Sequence, residues 1–315
     1  MLKSRKKTLI LCSFLLCCIC VPLAAQKLYQ YKDEQGIWRY TDKKPDTSQS
    51  YKTKQVKVSA QRRVWLENSG SKTAPEYMIR NTYPGPIEVA FKFITQNNVT
   101  ASPTLPQSFI VDEGVSPALF QVSAANPRLN SNFKFEYSYT IGSPDARHSP
   151  NTQYIPPIAP NSQFRISQSF NGAYTHKDEQ NKYAVDIAMP INTPIHAARS
   201  GVVMHVESDF FNSGTKQGYK SRANSIRILH DDGTMAIYAH LALEKLVVHP
   251  GLYVNAGQLI GYSGNTGYTT GPHLHFAVQV NKGMRLSAIP FKFKTQSGES
   301  ATPKAGAILH GEIQF

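Results

Sequence analysis

The sequence predicts an all-β protein made of antiparallel sheets. Short runs alternate apolar and polar residues, as strands with one buried face do. Clusters of Gly, Pro, Asn and Asp separate those runs, and no stretch sustains a helical period beyond one short candidate at residues 241–246. A chain of 315 residues suggests two domains with a small extra module, and its apolar content suffices to build cores without staples.

The chain opens on a different texture. Lys3, Arg5, Lys6 and Lys7 form a basic start, residues 9–21 a short apolar run, and Leu23-Ala24-Ala25 a small-residue cleavage site, so residues 1–25 read as a secretory signal peptide. The run falls short of the roughly 20 residues a spanning helix needs, so no transmembrane segment is expected after cleavage. All four cysteines lie inside it (Cys12, Cys17, Cys18 and Cys20), which removes disulfides and thiolate chemistry from the mature chain. A cysteine-free exported protein points to a periplasmic or secreted location in a bacterial envelope. Removing the four leader cations from the net +13 leaves +9, which suits an anionic envelope. Nucleic acid is not an expected partner: no dense basic stripe with interleaved aromatics is present.

Residues 26–60 form a hairpin module and linker. Two alternating aromatic runs flank Asp33-Glu34-Gln35-Gly36, a turn with glycine, and a polar linker follows from Lys43. Residues 61–142 carry runs such as Ile87-Glu88-Val89-Ala90-Phe91-Lys92-Phe93 and Phe133-Lys134-Phe135-Glu136-Tyr137, separated by Pro84-Gly85-Pro86, Asn97-Asn98 and Asn126-Pro127. They read as a small β-sandwich, immunoglobulin-like in outline, serving as spacer or partner-binding domain. Prolines at 144, 150, 156, 157 and 160 mark residues 143–162 as an extended connector. Residues 163–293 return to strands and tight turns, an antiparallel domain whose loops form a groove, and residues 294–315 read as a polar tail.

Within 163–293 the chemistry gathers around residues 263–276. Gly271-Pro272 ends a Gly/Thr-rich stretch, and His273-Leu274-His275-Phe276-Ala277-Val278 continues as a strand. Strand alternation sends His273 and His275 to one face and Leu274 and Phe276 to the other. A lone His-x-His is more often a pair of half-exposed strand residues; His176, His240 and Asp186 strengthen the chemical reading. Catalytic zinc takes three protein ligands and leaves a position for water, and His176, Asp186 and His275 would supply two nitrogens and one oxygen. His240 and His273 would then be free to move protons or steady an oxyanion. Tyr174 or Tyr268 would line the groove. His230 reads as structural, and His148, His196, His205, His249 and His310 have no partner pattern.

These residues carry a resemblance. Tyr183-Ala184-Val185-Asp186, Thr193-Pro194 with Ala197-Ala198 and Gly201-Val202-Val203, Tyr238-Ala239-His240-Leu241, and residues 263–276, in that order, resemble the M23 family, the lysostaphin and LytM-type zinc endopeptidases of bacterial cell walls. The resemblance implies zinc held by His176, Asp186 and His275, with His240 and His273 catalytic and Asn224 a second-rank candidate near the metal. One departure stands out: the usual first ligand lies four residues before the aspartate, where this chain has Lys182, and His176 is its substitute from ten residues away. Tyr29, Tyr31, Asp33, Gly36 and Tyr40-Thr41-Asp42 are similar to a small envelope module of unknown function, DUF4124.

The resemblance implies a zinc-dependent endopeptidase that hydrolyses peptide cross-links of peptidoglycan, at D-Ala–meso-diaminopimelate bonds of a Gram-negative wall. A non-catalytic LytM-like protein that binds wall and regulates another hydrolase is the alternative, with an envelope protein as partner. Either the connector or the tail is long enough to reach over the groove as an inhibitory segment.

Overall fold

The computed structural model describes residues 26–32, 38–41, 50–56 and 62–311. The signal peptide expected at residues 1–25, the turn at 33–37 and the last four residues lie outside the described residues. The architecture is all-β, and among the described residues the only helical element is the single 3-10 turn Gln217–Tyr219. No helix among them is long and apolar enough to cross a membrane.

Three sheet systems follow one another. The first pairs Gln26–Lys32 with Trp38–Thr41, as the aromatic alternation predicts, and adds Lys52–Val56 on the other side. The stretch expected to be only linker therefore supplies a strand, which gives the hairpin the third partner that an isolated pair in water lacks.

The second is a sandwich. Val64–Ser71, Ala74–Asn81, Phe120–Ala124 and Val99–Ser102 run side by side in one sheet, with Gly114–Val115 on Ala74–Asn81; Asn132–Ile141, Ile87–Asn97 and Gln107–Val111 form the other. Their alternating apolar residues meet between the sheets, where Tyr77 stacks on Phe120 and Phe135 meets Tyr77, Phe91 and Phe120 edge to face. This core continues into the next domain through Met204 and Met235, both wholly buried. Glu88 Oε2 accepts from Asn281 Nδ2 (2.8 Å) and the Met284 amide (2.6 Å), and Asn281 also donates to the Gly142 carbonyl. Gly85 touches the same seam: a Cβ there would lie 2.5 Å from Leu229 Cδ2.

The third is a nine-stranded antiparallel sheet in the order Tyr253–Val254, Gly201–Glu207, Ser225–Leu229, Met235–Ala239, His273–Asn281, Val185–Ala188, Gln163–Gln168 and Ile308–His310, with Leu286–Ile289 on the far end of the histidine strand. Leu274 and Phe276 are fully buried, packed with Tyr154, Tyr238, Phe291 and Phe293. Burying this apolar surface, at roughly 25 cal/mol per Å² removed from water, fixes which face of the strand looks outward.

Three expectations need correction. Residues 241–246 form no helix: Leu241 bridges Ser263, and the segment turns away without helical hydrogen bonds. The proline-rich connector is not free, since Gln153–Tyr154 pairs with Lys292–Lys294, Ile158 bridges Ile195, and Tyr154 and Ile158 are buried in the core. Residues 294–311 are not a loose tail: Ser300–Ala301 and Ile308–His310 are strands, and Leu309 joins the core. Connector and tail both pack where apolar side chains had surface left to cover. Tyr154 meets Phe276 on the side of the sheet opposite the histidines.

Candidate active site

The site is a row across adjacent strands. Asp186 pairs with His275, His275 with Ala239 on the other side, and Gln168 with Asp186. Cross-strand partners in antiparallel sheets project to the same face, so carboxylate and imidazole meet side by side, and the small side chain of Ala239 leaves room beside His275. His273 is on the same face, two residues along. His240 follows Ala239 directly and turns with φ +64°, a left-handed conformation that is uncommon for a side chain bearing a Cβ. Its ring comes to 4.6 Å, centroid to centroid, from His273 and 5.8 Å from His275. His176 enters from the loop between Gln163–Gln168 and Val185–Ala188, with its ring 5.3 Å from that of His275.

The structure thus brings all five sequence-derived residues together. Asp186 Oδ1 lies 2.8 Å from His275 Nδ1, 3.2 Å from His176 Nε2 and 3.7 Å from His273 Nε2. One atom from each of His176, Asp186 and His275 lies within 4.8 Å of the others, a group that could hold a metal ion. Ligands about 2.0–2.1 Å from a tetrahedral zinc stand a little over ~3 Å apart, close to these separations.

Tautomers sharpen the fit. His176 Nδ1 faces the Ser169 carbonyl at 2.9 Å and must donate to it, which leaves the Nε2 lone pair aimed at a carboxylate oxygen that also only accepts. Two acceptors so placed need a cation between them. Burial works against a charged His176, yet the hydrogen bond and charge of Asp186 outweigh it and raise its pKa: a proton fills the role a metal can take. Burial likewise opposes ionised Asp186, but its hydrogen bonds with His176 and His275 hold its carboxyl well below the usual range. The other oxygen, Oδ2, accepts from Gln168 Nε2 at 2.8 Å, so Oδ1 is left for the histidines.

The two remaining imidazoles are held by backbone carbonyls. His240 Nδ1 donates to Thr266 O at 2.6 Å, and His273 Nδ1 to Gly271 O at 2.8 Å, with Thr269 Oγ1 at 3.3 Å. Each ring therefore keeps Nε2 as its reactive nitrogen. Burial keeps both neutral, pushing His240 down to about 3 and lowering His273. Residues 263–276 supply both acceptor carbonyls; Gly264 is needed because a Cβ there would lie 2.5 Å from the Leu241 backbone, which follows His240.

The side-chain amide of Asn224 is committed to the backbone. Its Oδ1 accepts from the Phe210 amide and its Nδ2 donates to the Phe210 and Leu241 carbonyls, so it ties the 207–223 loop to the turn after His240. Tyr174 is almost fully exposed near His176, and Tyr268 lies under Lys220 Nζ, 5.8 Å from the ring centroid. His230 is buried and donates through Nδ1 to Ser200 O, a structural position as expected. Gln168 and Ser169, which hold Asp186 and His176, carried no motif; their only trace in sequence is their place at the end of the strand before the His176 loop. Thr266 and Thr269 were visible only as part of a turn-rich run.

Residues 180–286 match Peptidase family M23. The match includes Asp186, His240, His273 and His275 and begins after His176. Residues 15–63 match the domain of unknown function DUF4124. Among curated relatives, lysostaphin of Staphylococcus simulans is 42% identical over 128 residues, 40% of this chain and 23% of that protein. The peptidoglycan DD-endopeptidase ShyA of Vibrio cholerae is 36% identical over 131 residues, 41% of this chain and 27% of that protein. The chain thus spans about a quarter of the length of these relatives. The solved catalytic domain of Staphylococcus simulans lysostaphin is 34% identical, covering 38% of this chain and 81% of that one, with a TM-score of 0.28.

Proposed function

We propose that the domain at residues 163–293 is a zinc-dependent endopeptidase that hydrolyses peptide cross-links of peptidoglycan, at D-Ala–meso-diaminopimelate bonds, in a bacterial periplasm. The observation that carries this reading is the meeting of His176, Asp186 and His275 at hydrogen-bonding distance, with His240 and His273 beside them on the same face. The M23 match and the naming of one relative as a DD-endopeptidase support the substrate class.

His176 Nε2, Asp186 Oδ1 and His275 Nδ1 would hold the metal. Bound there, zinc would supply a Lewis acid that polarises the scissile carbonyl and makes water nucleophilic near neutral pH. The chain's own groups do the rest. His240 and His273, each fixed by an Nδ1–H bond to a carbonyl, keep Nε2 as the reactive nitrogen beside the cluster. As neutral imidazoles they can accept a proton from attacking water, and once protonated they can donate it to the leaving amine or to the developing oxyanion. The carbonyl anchors of residues 263–276 set the angle of both rings before substrate arrives, which lowers the reorganisation needed in the transition state.

The test is muropeptide release from purified sacculi, with chelator and then with added zinc. Zinc-restored loss of cross-linked dimers is the expected result, and the products identify the bond. One equivalent of bound zinc without release would favour a latent enzyme that needs activation, and neither release nor bound zinc would favour a wall-binding regulator of another hydrolase.

A further inference from the structure

The pairing of Gln163–Gln168 with Val185–Ala188 contains an irregularity at the site. Arg165 pairs with Ala188 and Ile166 with Ile187, but Asp186 pairs with Gln168, so Ser167 is the extra residue of a bulge. Regular pairing would place Ser167 opposite Asp186; the bulge re-aims the strand and puts a longer side chain into the row. Ser167 instead donates to the Asp186 backbone carbonyl at 3.1 Å.

Gln168 is 9% exposed, and its amide is fully used. Nε2 donates to Asp186 Oδ2 at 2.8 Å and to Thr175 Oγ1 at 2.7 Å, while Oε1 accepts from the amides of Tyr174 (3.1 Å) and Thr175 (3.4 Å). A carboxylate only accepts and a backbone N–H only donates, so this orientation of the amide is fixed. The loop crosses closely enough that a Cβ on Gly172 would lie 2.3 Å from Gln168 Cγ. One side chain thus grips Asp186 by the oxygen turned away from the histidines and pins the residues just before His176.

We propose that Gln168 is the positioning residue that lets a histidine ten residues before Asp186 complete the metal site, an inference that rests on the zinc site proposed above. The long loop has no intrinsic reason to return His176 to the sheet; the Gln168 amide supplies one, and the Ser169 carbonyl next to it sets the ring's tautomer. Partners of this kind behind a ligand typically change metal affinity by about 10–100-fold.

The experiment compares the full chain with Gln168→Met and Gln168→Glu. Zinc dissociation constants come from competition with a chromophoric chelator, ligand geometry from the visible spectrum of the Co2+ form, and loop anchoring from amide hydrogen exchange in metal-free protein. Gln168→Met should weaken zinc by about 10–100-fold, alter the Co2+ spectrum, and speed exchange at Tyr174 and Thr175 while Met235–Ala239 stays protected. Gln168→Glu keeps an acceptor for those amides but turns a like charge on Asp186, so it should weaken zinc with the loop amides still protected. Zinc affinity within about twofold of the unsubstituted protein in folded Gln168→Met would overturn the proposal. If that variant does not fold, the Gln168→Glu affinity decides by the same criterion. If the unsubstituted protein binds no zinc, the metal reading fails by itself; unchanged exchange at Tyr174 and Thr175 in Gln168→Met would then overturn the role of Gln168 as well.

Discussion

Asp186 and His275 stand directly opposite each other on adjacent antiparallel strands, with Oδ1 2.8 Å from Nδ1. Because both strands are inner members of the sheet, with Leu274, Phe276 and Ile187 locked into the core behind them, this pair cannot slip by one residue without exposing that core. The site's least movable edge is therefore set by burial and not by the polar groups themselves. His176 and His240 are brought to that edge by loops.

The rigid edge implies that Asp186→Ala and His275→Ala leave a folded sheet but no metal. Neither side chain supports the core, and each supplies one atom of the group that could hold a metal ion. Release of muropeptides from sacculi should fall to the buffer level, and metal analysis should find zinc lost. A His275→Ala protein that still carries one zinc and still cuts would remove His275 from the site.

His176 makes a separate prediction, because the M23 match begins after it. Lys182, at the usual ligand position, instead forms an ion pair with Glu179 at 2.9 Å, and an ammonium so paired has no lone pair to offer a metal. His176→Ala should abolish stoichiometric zinc binding, whereas Lys182→Ala should leave it intact. Unchanged zinc in His176→Ala would show that the ten-residue spacing is not used.

The backbone at His240 carries strain that a pair of variants can isolate. His240→Ala and His240→Gly both lose the imidazole and its bond to Thr266, so both should cut hydrolysis by about 10²–10⁴-fold while retaining zinc. Only alanine keeps a Cβ at φ +64°. Glycine should therefore be the more stable of the two by about 1 kcal/mol in urea unfolding. Equal stabilities would mean that the left-handed turn costs nothing here.

Much of this site could be read along the chain because its edge is made of strand residues whose facing follows from alternation. His273 and His275 against Leu274 and Phe276 is a local pattern, and Asp186 lies in another such run. What could not be read depends on contacts far apart in sequence. Gln168 gains meaning only through the bulge at Ser167 and the return of Thr175, and Asn224 looks like a potential ligand until Phe210 and Leu241 occupy its amide. The connector and the last strand look polar or extended because few of their residues are apolar. Yet Tyr154 and Leu309 suffice to dock them, since the sheet offers an uncovered edge and an uncovered face.

Two histidines outside the site, His230 buried and His205 half-buried, predict acid sensitivity. Burial leads the causes that push His205 and His230 down to about 4, with the cations Arg227 and Arg63 adding to the effect at His205. Their ordinary value is 6.5, so below it the unfolded chain binds protons that the folded chain refuses. The stability they contribute is complete above 6.5 and is lost as pH falls toward 4, by up to about 2 kcal/mol per histidine at pH 5. Urea unfolding at neutral pH and at pH 5 should show the loss, and His205→Phe, beside the Tyr83 ring, should remove the share of His205 while His240, pushed down to about 3 by burial, keeps its own. A slope unchanged by that substitution would assign the acid sensitivity to other groups.

The C-terminal strand offers the last prediction, and it runs against the appearance of residues 294–315 as a disposable tail. Ile308–His310 pairs with Gln163–Gln168, Gly311 donates to the Ser162 carbonyl at 2.8 Å, and Ser169 Oγ donates to Pro303 O at 2.9 Å. These bonds cover the outer edge of the strand that ends in Gln168 and Ser169, the two residues holding Asp186 and His176. Removing residues 295–315 would leave that edge unpaired and expose the core around Leu309, and Leu309→Ala alone should cost about 2 kcal/mol. The truncated protein should unfold at lower temperature and bind zinc more weakly, and the second effect should persist well below its unfolding midpoint. Equal zinc affinity with lowered stability would confine the strand to a structural role. Equal values of both would mean that the edge it covers needs no cover.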